Sequence, residues 1–191
     1  YDINKNYICE LTGNSLRNSA YSIKRTKKIN EIETLSFSIP YDNEYIGFGS
    51  CEYLIRHEFA WFIIKSVSLS SSDVRVLEVE CESNFTISKT IMCEEAELIG
   101  VSPIEMFEGI MASATNNTLN YIWKGTDVGS YRSITIDSES SVFENLMAMA
   151  EAFNSIIEME YDSDGNNTIF LRHNPYAVSY THLRAHETGA Y

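Results

Sequence analysis

Thr34-Leu35-Ser36-Phe37-Ser38-Ile39-Pro40 sets an apolar side chain at every second position, with hydroxyls between. That is the period of an extended chain, whose side chains alternate between the two faces of a sheet. The stretch therefore predicts a half-buried strand, closed by a proline that brings no N–H to a ladder. Upstream, Tyr21, Ile23, Arg25, Lys27 and Ile29 alternate in the same way, and the short Asn30-Glu31 link predicts a hairpin. Downstream come Glu52 to His57, the apolar run Phe59 to Val67, a Ser-rich turn Ser70 to Asp73, and Val74 to Cys81. Tyr7 to Leu11 is also strand-like. Five or six strands with short polar turns predict a small antiparallel barrel or sandwich over residues 1–88.

The period then changes. Ser102-Pro103-Ile104-Glu105 is a capping box with proline at the first helical position, and Phe107, Ile110, Met111 and Ala114 follow on one face. Ser141-Val142-Phe143-Glu144 repeats the device ahead of Phe143, Leu146, Met147, Ala150 and Phe153. Strand-like residues follow each helix: Leu119 to Trp123 after the first, Ile156 to Tyr161 and Thr168 to Arg172 after the second. The chain is thus expected to be mostly β with an α+β second half, the seam falling near residues 84–100. The expected organisation is a β-barrel-like domain at 1–88 and an incomplete two-helix α+β domain at 89–176.

Composition narrows function more than it names it. Of 191 residues, 44% are hydrophobic, enough for a real core, and the net charge is -13. That sign opposes non-specific binding to nucleic acid or an anionic membrane, whose phosphates would be repelled. No apolar run reaches the roughly 18 residues of a membrane-spanning helix. Cys9, Cys51, Cys81 and Cys93 lack C-x-x-C spacing and are read as small apolar residues in a reducing cytosol. Sequons at Asn84, Asn116 and Asn166 are read as chance products of Asn-rich turns.

Several motifs imitate chemistry without completing it. Asp162-Ser163-Asp164-Gly165-Asn166-Asn167 looks like a calcium loop, but its glycine comes fourth and His173 stands where the closing glutamate belongs. A hairpin turn explains those residues better. Lys24-Arg25-Thr26-Lys27-Lys28, the one basic cluster, is read as a solvated strand edge that discourages strand addition. Glu94, Glu95 and Glu97, with Glu108 beyond, are read as a solvated acidic connector rather than an acid–base pair in a cleft. His57 and His173 stand alone, with no nucleophile elbow, Walker loop or dinucleotide fingerprint near them. No catalytic, cofactor-binding or metal-binding residue is assigned, and no cofactor is expected.

The last residues read differently again. Val178 to Thr188, V-S-Y-T-H-L-R-A-H-E-T, resembles the one-frame translation of a common transposon-based sequencing-library adapter, and Ala177 fits its preceding bases. Residues 177–191 are accordingly expected to be a non-native tail. The opening at Tyr1, with a strand-like run almost at once, adds the expectation that the chain is a piece of a longer protein. His182 and His186 have the spacing of a zincin pair, but Leu183 occupies the place of the general-base glutamate. The pair is set aside with the tail.

A family pattern runs through the remainder. The order is S-I-K-R at Ser22–Arg25, L-S-F-S-I-P-Y at Leu35–Tyr41, then F-A-W-F-I-I-K-S-V at Phe59–Val67 and V-L-E-V-E-C-E-S at Val76–Ser83. S-V-F-E-N-L-M-A-M-A-E-A-F at Ser141–Phe153 then leads into I-I-E-M-E-Y at Ile156–Tyr161. Over roughly Asn4 to Tyr176 this resembles the N-terminal region of siphophage and prophage tail proteins. That family is variously called minor structural protein, tail-associated lysin or prophage endopeptidase tail protein. The resemblance implies a baseplate hub: a homotrimeric ring at the virion tail tip, assembled in the bacterial host cytoplasm. It also implies contacts with the distal tail protein and with tail tube and tape-measure proteins. Specific nucleic-acid binding and membrane insertion are not implied. Any lysin or receptor-binding domain would follow C-terminally, so no enzymatic role passes to these residues. Two rivals remain: a cell-wall carbohydrate-binding β-module using Trp61, Trp123 or Tyr131 as stacking platforms, and a fragment of a peptidoglycan hydrolase.

Overall fold

The structure, a computed structural model, describes residues 1–2, 4–11, 19–41, 53–70, 75–115, 119–125, 130–161 and 166–173. The alternating stretch is strand β2, Thr34–Pro40, with Leu35, Phe37 and Ile39 buried. On one side it pairs with β1, Tyr21–Thr26. On the other it pairs with β5, Val76–Ser83, which alternates in step so that Phe37 faces Val79 and Leu35 faces Cys81. Beyond β5 lie β4, Ala60–Leu69, and β3, Leu54–His57, giving the antiparallel order β1-β2-β5-β4-β3. The sheet curls into a half-barrel around Leu35, Phe37, Ile39, Phe62, Ile64 and Val79. Side chains of period two on a twisted sheet have nowhere else to converge.

Two local expectations fail. Tyr7 to Leu11 forms no strand; the carbonyl of Leu11 instead accepts the Ala20 N–H at 2.6 Å. The hairpin link is also longer than Asn30-Glu31. β1 ends at Thr26 and β2 begins at Thr34, with Asn30 at φ 55 in the connecting turn. Alternation in β1 does not bring burial either. Tyr21 and Ile23 remain 42% and 43% exposed, because this is an edge strand with little packed on it. Its register breaks between Tyr21 and Lys24, where Ser22 takes φ 54.

The second half is α+β, as its period predicts. A 3₁₀ helix, Asn84–Lys89, carries Phe85 into a separate core. Helices α1, Pro103–Ser113, and α2, Val142–Ala152, pack there with Ile136, Ile169 and Leu171. A three-stranded sheet runs β7-β10-β9: Tyr121–Trp123 parallel to Asn167–His173, which is antiparallel to Ser155–Tyr161. A ribbon of β6, Ala96–Val101, and β8, Arg132–Ile136, was not expected from the sequence. Its register breaks between Leu98 and Val101, where Gly100 adopts φ +62, a conformation open to glycine without a Cβ penalty. Glu97 therefore stands on a strand rather than in a connector.

Both capping boxes form. The Glu105 carboxylate accepts the Ser102 N–H at 2.8 Å, and Glu144 accepts that of Ser141 at 2.7 Å. The buried faces are rotated slightly from those expected. Met106, Phe107 and Ile110 bury from α1, and Val142, Leu146, Met149 and Ala150 from α2. Met111, Phe143 and Met147 are only half-buried. Backbone and then hydroxyl hydrogen bonds from the two serines hold both glutamates below the ordinary 4.5. A depressed folded pKa stabilises fully above the unfolded value and is lost as pH falls through the folded one. Melting temperature should therefore drop as pH is lowered below 4.5. Glu105→Gln with Glu144→Gln should flatten that drop, and an unchanged slope would show that the caps do not titrate with folding.

Candidate assembly interface

The two cores meet at one tyrosine. The Tyr161 hydroxyl, at the end of β9, lies 2.7 Å from Asn84 Oδ1, 3.0 Å from the Trp61 carbonyl oxygen and 3.0 Å from Ser83 Oγ. With a single proton it donates to one of the two carbonyl oxygens while Ser83 can donate in return. Burial pushes its phenol well above the ordinary range, so it stays a neutral donor. A second tie runs from the Ile157 N–H to Asn30 Oδ1 at 2.9 Å. Asn84 is thus tied to the second core through its Oδ1.

Near this junction Arg25 reaches Glu33 through Nε at 2.5 Å and Nη2 at 3.2 Å, and Glu58 through Nη1 at 2.5 Å. Glu33 is nearly buried, so the two-pronged bond supplies the counter-charge its carboxylate needs. The hydrogen bond to Glu33 raises the Arg25 pKa further. This member of the basic cluster is a clamp from the β1 edge to the turn after β3. Lys24 and Lys27 stay exposed, Lys27 with Glu160 4.0 Å away, and Lys28 pairs with Glu31 at 3.1 Å.

On the half-barrel's inner side lies a cavity of about 430 Å³, lined by Leu35, Phe37, Ile39, Ile64 and Val79 of the sheet and by Tyr1, Tyr7 and Ile8. The first residues fasten to β3: the Tyr1 amino group donates to the Leu54 carbonyl at 3.1 Å, and the Leu54 N–H to the Tyr1 carbonyl at 3.0 Å. Tyr1 also meets Trp61 edge-on, ring centroids 4.9 Å apart.

The residues weighed in the sequence are scattered. Trp61 is 6% exposed and Trp123 packs against Phe107 with centroids 5.1 Å apart, so neither offers a free stacking face; Tyr131, 66% exposed, does. His57 lines the cavity, whereas His173 sits on β10. Cys81 and Cys93 are buried and Cys9 half-buried; burial, then Glu80, pushes the Cys81 thiol up to about 12, where it is unreactive. Cys51, Asn116, residues 162–165 of the calcium-like loop, and the tail with His182 and His186 lie outside the described residues. β9 and β10 nonetheless pair antiparallel from Tyr161 and Asn167, as a hairpin requires. No group of three metal-ligating side chains occurs among the described residues, nor is any helix there long and apolar enough to cross a membrane.

What the sequence reading missed is the open edge of β6, whereas Lys24 to Lys28 had marked that of β1. Among the described residues β1 pairs only with β2, and β6 only with β8. Large apolar side chains stand in water beside them: Ile29 at 50% exposed near β1, Ile99 at 73% on β6 and Tyr131 before β8. An open backbone edge with apolar neighbours can accept a further strand.

No family model matches the chain, and no curated protein matches it. Its fold is shared with the solved prophage tail protein gp18 from Listeria monocytogenes EGD-e. The TM-score is 0.54 at 8% identity, over 80% of this chain and 44% of that one. Looser matches are an Escherichia coli type VI secretion system component and a Neisseria meningitidis MC58 tail protein. The E. coli component, itself structurally similar to the T4 bacteriophage tail proteins gp27 and gp5, has a TM-score of 0.47 at 8% identity, over 80% of this chain and 48% of that one. The Neisseria protein has a TM-score of 0.46 at 14% identity, over 72% and 42%. The chain spans less than half the length of each solved protein. The class is a β-rich domain with a prophage tail-protein fold.

Proposed function

We propose that this chain is a structural part of a phage tail tip, the N-terminal region of a baseplate hub. The observation that carries the reading is the half-barrel joined through Tyr161 to a two-helix α+β part, a fold shared with a prophage tail protein over 80% of the chain. In this reading residues 1–88 form the hub domain and 89–176 flank it. Three copies close a ring between the tail tube and downstream lysin or receptor-binding parts. The distal tail protein is the partner above. The open edges and exposed apolar residues support it, because a ring subunit must keep such surfaces for its neighbours. The net charge of -13 suits a passage that DNA crosses without sticking.

Immunogold labelling of virions with antibody against this chain tests the placement. Gold at the tail tip is expected; unlabelled particles from a lysogen that expresses the protein would overturn it. The carbohydrate-module reading keeps one supporting observation, the exposed Tyr131. A peptidoglycan pull-down should be negative if the hub reading holds.

A further inference from the structure

We infer that one copy's β1 edge receives the β6 edge of the next copy, basic strand against acidic strand. The inference rests on the ring reading and specifies the contact that closes it. Four of the chain's 14 lysines and arginines fall within Lys24, Arg25, Lys27 and Lys28, on or just after β1. Arg25 is held by Glu33 and Glu58 and Lys28 by Glu31, whereas Lys24 has no partner among the described residues and Lys27 meets Glu160 only at 4.0 Å, so these two are the cations best placed to face another copy. In a chain of net charge -13 a second copy is repelled on average, and a run of cations at one edge opposes that repulsion.

Of the other terminal strands among the described residues, β6 has the opposite sign. β6 carries exposed Glu97 and follows exposed Glu94 and Glu95. Each edge also brings apolar area to desolvate: Tyr21 and Ile23 on β1, Ile99 on β6 with Tyr131 beside β8. Lysines on an edge discourage indiscriminate strand addition, yet the same charges favour a strand that arrives with glutamates. Because the two edges are different surfaces of one chain, their pairing is head-to-tail, the kind of contact that generates a ring when its rotation closes.

Charge reversal tests the pairing by light scattering at low salt. Lys24→Glu with Lys27→Glu, and separately Glu95→Lys with Glu97→Lys, should each bring the associated parent down to the 21.7 kDa of one chain. Mixing the two variants should restore association, since each reversed edge then finds its complement. All four positions are solvent-exposed, and a melting curve of each variant is the check that it folds. If the parent associates and both variants keep its mass, the edge pairing is wrong while the ring reading stands. If the parent itself stays at one chain's mass at every concentration, both fall.

Discussion

Met149→Asp is expected to abolish stable folding of the helical half. Met149 is wholly buried on α2, in a core that also holds Met106, Ile110, Leu146 and Ile169, each 0% exposed. A carboxylate there loses the methionine's packing and leaves water without a partner. Together these cost on the order of 4–5 kcal/mol or more, comparable with the whole stability of a typical domain. Phe143→Asp, six residues earlier on the same helix, should cost far less, about 1–2 kcal/mol. Phe143 is only half-buried, with Lys89 Nζ 5.2 Å from its ring centre, so an aspartate there can reach both water and a cation. Soluble yield and urea denaturation separate the two. A Met149→Asp protein that unfolds at the parent's midpoint would mean that the α2 stripe is not a core face.

The difference between these two positions marks how far sequence reading reaches. The S-x-x-E boxes announce both helices because a capping serine and its glutamate are local devices, closed within four residues. The choice of Met149 over Phe143 is not local, since it depends on which side the sheet strands approach. β2 was legible from its unbroken period over Leu35, Phe37 and Ile39. β6 was not: Leu98 and Val101 are out of step across the Gly100 bulge, and the run opens with glutamates that read as connector. Tyr161 carries no signal at all in the sequence. Its role exists only because the fold brings Asn84, Ser83 and Trp61 together from 77, 78 and 100 residues away. The open edges were half legible, since Lys24 to Lys28 did mark a solvated edge, whereas the β6 edge became visible only once β8 was placed beside it.

The second large effect concerns assembly. In the proposed ring, each subunit hides the edges that the single chain leaves open, so the intact protein should not persist as a monomer. This chain alone should be soluble, given its charge, but associated into species of mixed size. Closed cyclic symmetry favours one defined state for the intact protein instead. The decisive experiment is therefore the solution mass of the full-length protein by light scattering across a range of concentrations. A single species at three times the subunit mass, unchanged on dilution, is expected. A sharp monomer would rule out the ring, and binding of peptidoglycan glycan by that monomer would establish the carbohydrate module in its place.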